Sequence, residues 1–320
     1  MILIYILIFL VSCLLLYFSS EWMIESLMRI AKFLGWKEFV IAFFVMAFAA
    51  SAPNFFVGIS SAIHKIPQLS FGEVIGGNIV DLTLAFALAI LISKNTLPAP
   101  SRVVQNTGIF TITVSILPLL LAIDGILSRG DGLVLLITFL AYMSWLFSKE
   151  ERFKMVYEEN KSEIIGEFKH FSKDLLRIIL SLVLLILASE GLVKSVKYFF
   201  EFFKLSIPVI GILIVGLANT LPEIYFAIRA AKEGKTWMVL GNLMGAVIVP
   251  STLVLGIVAL ICPIIIPNLS PFIVTLAFLI IAISSFFVFI RTDKAITKKE
   301  AIFLLSIYIF FVLFQILFAR

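Results

Sequence analysis

The sequence predicts an all-α membrane protein of ten transmembrane helices, arranged as two inverted five-helix repeats. The first observation is composition: 62% of the 320 residues are hydrophobic, 14% are charged and the mean hydropathy is +1.15, which is too apolar for a water-soluble surface. The second is an internal repeat, because Pro53 and Gly76 recur as Pro222 and Gly245, in each case 169 residues later. The third is the distribution of basic residues, which concentrate in the loops on one side of the predicted spans.

Each half of the chain contains five apolar segments long enough to cross a bilayer, which takes about 20 residues. In the first half the predicted spans are 2–20, 38–62, 71–93, 103–123 and 131–148. In the second half they are 174–197, 206–230, 236–261, 270–290 and 300–318. Because five is an odd number, the second half enters the membrane from the opposite side, and the two halves form an inverted repeat. The predicted domains are therefore a first repeat, a linker and a second repeat, at 1–148, 149–173 and 174–320.

The basic residues give the predicted spans an orientation. Relative to the N-terminus, the loops on the opposite side hold 19 of the 25 Lys and Arg residues, in the segments 21–37, 94–102, 149–177, 229–235 and 291–299. Since positively charged loops remain in the cytoplasm, we expect a cell-membrane protein with both termini outside and the linker in the cytoplasm. The linker carries charges of both signs and is too short to fold as a separate ion-binding domain.

Composition also excludes several classes of function. The two cysteines lie in apolar segments without disulfide or metal-ligand spacing, and two histidines are too few for a histidine-built metal centre. The sequence contains no nucleophile–base arrangement and no phosphate-binding loop, so we expect neither an enzyme nor a resident cofactor. The net charge of +5 is spread over loops next to the membrane and does not indicate nucleic acid. The expected partners are the lipid bilayer and small inorganic cations, without an obligatory protein partner.

Acidic residues inside the predicted spans point to the function, because charge inside a bilayer is costly. Asp81 lies about 10 residues into its span and Glu223 about 17 into its own, so both fall within the hydrocarbon. The alternative for each is a structural buried hydrogen bond. Glu21 and Glu190 are equivalent positions of the repeat that end their spans, and we expect a structural role or a place at a pathway mouth for them rather than ion coordination. Glu73 is expected near the outside face, where it attracts cations or caps a helix.

Glu223 belongs to a run of oxygen-bearing residues around a proline. Pro222 cannot donate a backbone hydrogen bond and displaces the carbonyl of Ala218, so a helix broken here presents carbonyl oxygens beside the carboxylate. Asn219 and Thr220 lie three to four residues before Glu223, on the same helical face. Carboxylate, amide, hydroxyl and carbonyl oxygens are the ligands of hard cations such as Na⁺ and Ca²⁺.

The first repeat carries an equivalent run and adds a second polar helix. Ser51 and Asn54 lie on either side of the first-repeat proline, at the positions that correspond to the threonine and glutamate of the second repeat. On the next helix, Asn78 and Asp81 place an amide and a carboxylate on one face. The two glycines that precede Asn78 either shape this site or serve only to let helices pack closely.

These two stretches, within 40–90 and 209–257, resemble the repeated motif regions of the cation/calcium antiporter superfamily, which includes the sodium/calcium exchangers. That family reads approximately Gly-Thr-Ser-x-Pro-Glu and then Gly-Asn-x-x-Gly-Ser-Asn-x-x-Asn/Asp, once in each inverted half of a ten-helix fold. The resemblance implies that ions are held by two glutamates after the prolines and two Asn or Asp residues further on. Those four positions are occupied here by Asn54, Asp81, Glu223 and Pro250. Pro250 therefore replaces an oxygen ligand, and we expect it to open its helix.

The resemblance implies a secondary cation antiporter that exchanges Ca²⁺ for Na⁺, or for H⁺, by alternating access, with spans 1 and 6 moving together as a gate. Asp81 and Glu223 are expected to neutralise one divalent ion, or the monovalent ions that replace it. The complete set of predicted cation ligands is Ser51, Asn54, Asn78, Asp81, Asn219, Thr220 and Glu223. Two alternatives stay open: an uncoupled or differently selective cation carrier, and a transport-inactive family member that acts as a membrane sensor or scaffold.

Overall fold

The computed structural model describes residues 1–33, 47–93, 97–98, 102–148, 164–234, 236–266, 270–292 and 295–318, which are almost entirely helical. The helices of the first half are α1 (Ile2–Phe33), α2 (Ala47–Ala50), α3 (Ala52–Ile63), α4 (Gln68–Val80), α5 (Phe86–Ile92), α6 (Arg102–Leu121) and α7 (Arg129–Ser148). Those of the second half are α8 (Ile164–Phe203), α9 (Ile207–Ile210), α10 (Gly216–Asn219), α11 (Leu221–Lys232), α12 (Thr236–Val249), α13 (Leu255–Ile261), α14 (Ser270–Thr292) and α15 (Lys298–Phe318). Within this part of the chain, π-helical turns join consecutive helices at Asp81–Ala85, Gly211–Val215 and Pro250–Val254.

Several helices begin and end at equivalent positions in the two halves. Helices α3 and α11 begin and end 169 residues apart, and so do α2 and α10, and α5 and α13. The π-helical turns Asp81–Ala85 and Pro250–Val254 are related by the same offset. The internal repeat of the sequence is therefore accompanied by a repeat of local backbone structure, including a helix break and a π-helical turn in each half.

Eight helical segments of the described residues are long and apolar enough to cross a membrane. They are Ile2–Ile30, Gln68–Ile92, Arg129–Leu146, Phe171–Phe203, Ile207–Lys232, Met238–Ile261, Phe272–Phe289 and Lys298–Leu317. Two shorter apolar helices, Ala52–Ile63 and Thr107–Leu121, lie in the second and fourth predicted spans, and the beginning of the second span lies outside the described residues. The chain is thus a multi-pass membrane protein, whereas the count of ten spans and the inverted orientation of the halves stay predictions.

Helices α1 and α8 are longer than the spans predicted for them. Helix α1 continues to Phe33, and α8 begins at Ile164, inside the predicted linker, whose other described residues are also helical. The polar ends of the two helices are held together because the Arg29 guanidinium donates to both carboxylate oxygens of Asp174, at 2.8–3.0 Å. Such a two-point contact between a guanidinium and a carboxylate fixes direction as well as distance. Helices α1 and α8 therefore form one packed pair.

The centre of the molecule consists of α4 with α5 and α12 with α13, which are mostly buried. Helix α4 crosses α9 and the π-helical turn that follows α9 so closely that their backbones are in contact. A Cβ added at Gly76 would lie 2.2 Å from the carbonyl oxygen of Ile212, and one added at Gly72 would lie 2.6 Å from that of Pro208. Since no side chain fits in such a gap, these glycines are required for close helix packing.

Two short pairs of β-strands join segments of the two halves. Strand β1 (Leu97–Pro98) pairs antiparallel with β4 (Ala295–Ile296), and β2 (Ile126–Leu127) pairs antiparallel with β3 (Ile264–Ile265). Each pair therefore contains one strand from each half, which holds the connecting segments of the halves against each other.

Candidate cation-binding site

Two helix breaks form the centre of the candidate site. The first separates α2 from α3 at Ser51, and the second separates α10 from α11 at Thr220. Pro53 and Pro222 each lie within the first two residues of the helix that follows the break. A proline is tolerated there because the first helical residues have no partner for their N–H groups, and its fixed φ favours a new helical start. The break predicted beside Glu223 is present.

Glu223 lies in the first turn of α11 and is 1% exposed. Its Oε2 atom has no hydrogen-bond partner in the part of the chain that the structure describes. Helix α11 packs against the π-helical turn that begins at Asp81, and Glu73 contacts Asn219, four residues before Glu223. Asn242 on α12 donates its Nδ2–H to the backbone carbonyl of Glu223 at 3.3 Å. The protein therefore holds this residue in place while it leaves a carboxylate oxygen free.

Asp81 begins the π-helical turn that follows α4 and is also buried. Its Oδ1 atom lacks a hydrogen-bond partner among the described residues. Turns of this kind interrupt the regular helical hydrogen bonds and are frequent at functional sites. The equivalent turn of the second half begins at Pro250. Because the first half forms the same turn without a proline, the helix opening expected at Pro250 is a property of both repeats and not of the proline.

The amide side chains near these acids use their nitrogens for hydrogen bonds inside the protein. Asn78 Nδ2 donates to Ser251 Oγ at 2.8 Å, which links α4 to the π-helical turn of the second half. Asn219 Nδ2 donates to Glu73 Oε1. The Oδ1 atoms of both asparagines are buried and unpartnered among the described residues. The Thr220 hydroxyl donates to backbone carbonyls of the preceding turn at 3.0 Å, so its oxygen keeps lone pairs for a ligand.

Ser51 and Asn54 are buried at the first-half helix break. The Ser51 Oγ and Asn54 Oδ1 atoms also lack hydrogen-bond partners among the described residues. Helix α2, which ends next to Ser51, packs against α12. Within the described chain, no hydrogen bond joins either residue directly to Asp81 or Glu223. Their assignment to the site therefore depends on their burial and on their equivalence to Thr220 and Glu223 in the repeat.

The expected position of Glu73 at the outside mouth is wrong. This residue is 1% exposed and accepts the hydrogen bond from Asn219 in the interior. The reason is the close crossing of α9 and its π-helical turn over α4, which covers a residue near the start of its helix. Sequence reasoning also missed Ser251 and Asn242. One signal was available for Glu73, because it precedes Asp81 by eight residues and thus lies on the same side of the helix.

Unpartnered buried oxygens are concentrated in this region. Among the described residues, eight of this region carry such an atom: Ser51, Asn54, Glu73, Asn78, Asp81, Asn219, Glu223 and Asn242. No Lys, Arg or His is buried within the described ranges. Since buried polar atoms are normally paired, free oxygens without a cationic side chain are typical of a cation site. No three His, Cys, Asp or Glu side chains of the described residues converge to hold one metal ion, so one or two carboxylates would act together with neutral oxygens.

A cavity of about 290 Å³ lies between α1 and α11, next to the candidate site. It reaches Pro222, the residue before Glu223, and its wall includes Glu21, Tyr225 and Arg229. Glu21 lines this cavity, and its role at a pathway mouth stays a prediction.

The repeat-equivalent pair, α3 and α8, is closed by polar contacts. Ser60 Oγ donates to Glu190 Oε1 at 2.7 Å, and the other oxygen of Glu190 lies 3.4 Å from His64 Nε2. Lys197 Nζ donates to the backbone carbonyl of His64 at 3.0 Å. Glu190 is the repeat equivalent of the glutamate that lines the open cavity. Of these two equivalent pairs of helices, α3 and α8 are therefore packed together, whereas α1 and α11 are separated by a cavity.

Comparisons with known proteins connect this arrangement to a family. The family model described as sodium/calcium exchanger protein matches residues 4–148 and 173–317. The uncharacterized membrane protein MJ0091 of Methanocaldococcus jannaschii is 31% identical over 245 residues, which cover 74% of this chain and 76% of that protein. The sodium/calcium exchanger MaX1 of Methanosarcina acetivorans is 25% identical over 335 aligned positions, which cover 93% of this chain and 95% of that protein.

Solved structures show a similar fold. The sodium-calcium exchanger NCX_Mj, in a structure soaked with 2.5 mM Na⁺ and 10 mM Sr²⁺, aligns with a TM-score of 0.68 and 27% sequence identity. The alignment covers 98% of this chain and 99% of that chain.

Proposed function

Because this chain belongs to the sodium/calcium exchanger protein family, and is therefore a cation antiporter and not an enzyme, we propose that it exchanges Ca²⁺ for Na⁺ by alternating access at the site around Asp81 and Glu223. H⁺ is the alternative counter-ion, since buried carboxylates readily take up protons. The observation that carries the proposal is the concentration around these acids of oxygens without partners among the described residues, none of whose Lys, Arg or His side chains is buried.

The charges of the site support exchange rather than passive leakage. Asp81 and Glu223 together balance the charge of one divalent ion, and the free oxygens of Asn78 and Asn219 add neutral ligands of the kind that Ca²⁺ uses. When no cation is bound, two carboxylates close together in the interior repel each other strongly. The empty carrier is thus disfavoured, and it changes its facing direction only after other cations have occupied the site. This requirement couples the movement of one ion to that of the other.

The unequal packing of the two halves supports alternating access. The wall of the cavity between α1 and α11 includes Arg29 and Arg229, which lie at the helix ends that the charge distribution places on the cytoplasmic side. On the opposite side, Ser60, Glu190 and His64 close the equivalent path. We therefore assign the structure to a cytoplasm-facing state, in which the paired helices α1 and α8 leave one path open and one closed.

A flux measurement tests the proposal. Purified protein is reconstituted into proteoliposomes, and uptake of radioactive Ca²⁺ is compared under an outward Na⁺ gradient, a proton gradient and no gradient. We expect uptake that follows the Na⁺ gradient and is lost in Glu223→Gln, while Glu201→Gln, at an exposed glutamate of α8, transports normally. Uptake without any gradient indicates an uncoupled carrier. No uptake by the folded wild type under any gradient would remove calcium exchange as the function.

The sidedness of the cavity has its own test. In a background that carries Cys13→Ser and Cys262→Ser, a cysteine is introduced by Tyr225→Cys, in the cavity wall, or by Phe56→Cys, at the repeat-equivalent position beside the closed path. We expect a membrane-impermeant thiol reagent to label the first variant from the cytoplasmic side and to leave the second unlabelled in ion-free medium. Labelling of the Tyr225→Cys variant only from outside would reverse the orientation.

A further inference from the structure

Glu73 is a buried carboxylate with one oxygen bonded and one oxygen free. Its Oε1 atom accepts from Asn219 Nδ2, and its Oε2 atom has no partner among the described residues. A buried ionised carboxylate is costly unless a cation or a full set of hydrogen bonds compensates it. One amide supplies a single hydrogen bond, so the compensation for Glu73 is incomplete within the described protein.

The surroundings of Glu73 are acidic rather than basic. It precedes Asp81 by eight residues on the same side of a continuous helical segment, and its hydrogen bond with Asn219 joins it to the second half four residues before Glu223. No described Lys, Arg or His is buried, and none of these three acids has an ion pair among the described residues. Compensation therefore comes from a proton or from a metal cation that enters the site and displaces the proton.

Comparison of the two repeats shows why a third acid is needed. The position equivalent to Asp81 is Pro250, which offers no side-chain oxygen, and the position equivalent to Glu73 is Asn242. The first repeat thus places an acid at a position where the second has a neutral amide. With Glu223, the buried acids around the two helix breaks number three, although the ligand position at Pro250 is lost.

We propose that Glu73 is a cation-binding carboxylate of the transport site, which works with Glu223 and supplies the negative charge that Pro250 does not. This inference rests on the proposed function. Glu73 binds through Oε2, while its hydrogen bond with Asn219 holds Oε1 and orients the group.

A purely structural role for Glu73 makes different predictions. In that case its task is to hold Asn219 and thereby the crossing of α4 and α10, and Glu73→Gln preserves it, because glutamine keeps the length and the acceptor oxygen. Glu73→Asp, which shortens the side chain, would then be the more harmful change. For a charged ligand the order is reversed, since the aspartate keeps the charge and the glutamine loses it.

Calcium titration of the purified full-length protein in detergent, by calorimetry, distinguishes these roles. We expect the affinity for Ca²⁺ to fall roughly 10- to 100-fold in Glu73→Gln and less in Glu73→Asp, with Glu201→Gln unchanged. Without Ca²⁺, the melting temperature of Glu73→Gln should equal or exceed that of the wild type, because an uncompensated buried charge has been removed.

The outcomes separate this inference from the function on which it rests. Normal affinity in Glu73→Gln, together with loss of binding in Glu223→Gln, would overturn the role of Glu73 and leave the proposed exchange intact. A Glu73→Gln protein that is unstable without Ca²⁺, or a Glu73→Asp protein that binds more weakly than Glu73→Gln, would show a structural role. A folded wild type that binds neither Ca²⁺ nor Na⁺ would overturn both proposals.

Discussion

The close contact of α4 with the π-helical turn after α9 predicts that Gly76→Ala destabilises the protein. The new Cβ would lie 2.2 Å from the carbonyl oxygen of Ile212, and 2.7 and 2.8 Å from its Cα and C atoms. All three are backbone atoms, so no change of side-chain conformation relieves the clash. Ordinary contact begins near 3.4 Å, which requires the two helices to separate locally by about 1.2 Å.

The expected cost of Gly76→Ala follows from two opposing effects. Overpacking of a tight core costs up to about 3 kcal/mol, and replacement of glycine by alanine inside a helix returns about 1 kcal/mol. The predicted net loss of unfolding free energy is about 2 kcal/mol. The matched control is Gly77→Ala on the same helix, where the added Cβ would lie 3.4 Å from Thr220 Cγ2, an ordinary contact. That variant should be as stable as the wild type or slightly more stable.

Both variants are compared by denaturant titration of the purified protein in mixed micelles, with tryptophan fluorescence as the signal. Separation of the helices also moves Glu73 away from Asn219, so we expect Gly76→Ala to reduce Ca²⁺ uptake although it changes no predicted ligand. If Gly76→Ala matches Gly77→Ala in stability, the reasoning about backbone contact at this crossing is refuted.

Further predictions concern the ends of the helices and the second π-helical turn. Asp174→Asn weakens its contact with the half-exposed Arg29 and should lower the unfolding free energy by about 1 kcal/mol, and high salt should reduce the difference from the wild type. Ser128→Ala and Thr297→Ala each remove a reciprocal helix cap, at α7 and at α15. Each should cost about 1 kcal/mol in the same titration, and a double variant with no additional loss would contradict independent caps. Pro250→Ala should retain the π-helical turn in a crystal structure, because the first half forms this turn without proline; a regular α-helix there would contradict this reading.

Several features of the site were predictable because they depend on neighbours along the chain. Proline lacks a backbone donor and is favoured in the first turn of a helix, so the breaks at Ser51 and Thr220 were predictable from Pro53 and Pro222. The burial of Glu223 follows from its place in a long apolar segment. Such inferences need only local composition, the length of a span and the cost of placing charge in a membrane.

Other features depended on which helices cross and how closely. Glu73 was misplaced because its burial results from α9 and its π-helical turn, more than 130 residues away in the sequence. The partner of Asn78, Ser251, comes from the opposite half for the same reason. Hydrophobic periodicity describes one helix at a time and carries no information about its neighbours.

The sequence by itself determined the membrane class, the repeat, the helix breaks and the two acids Asp81 and Glu223, since each of these is set by local chemistry and by the bilayer. The tertiary structure alone decided that Glu73 is inside, that oxygens of both halves without partners among the described residues gather there, and that a cavity lies beside α11 while α3 and α8 are joined by polar contacts. Two repeats with nearly the same local pattern can pack against the pair α1 and α8 in different ways. Which packing is adopted depends on the balance of contacts between helices, and these contacts exist only in the folded molecule.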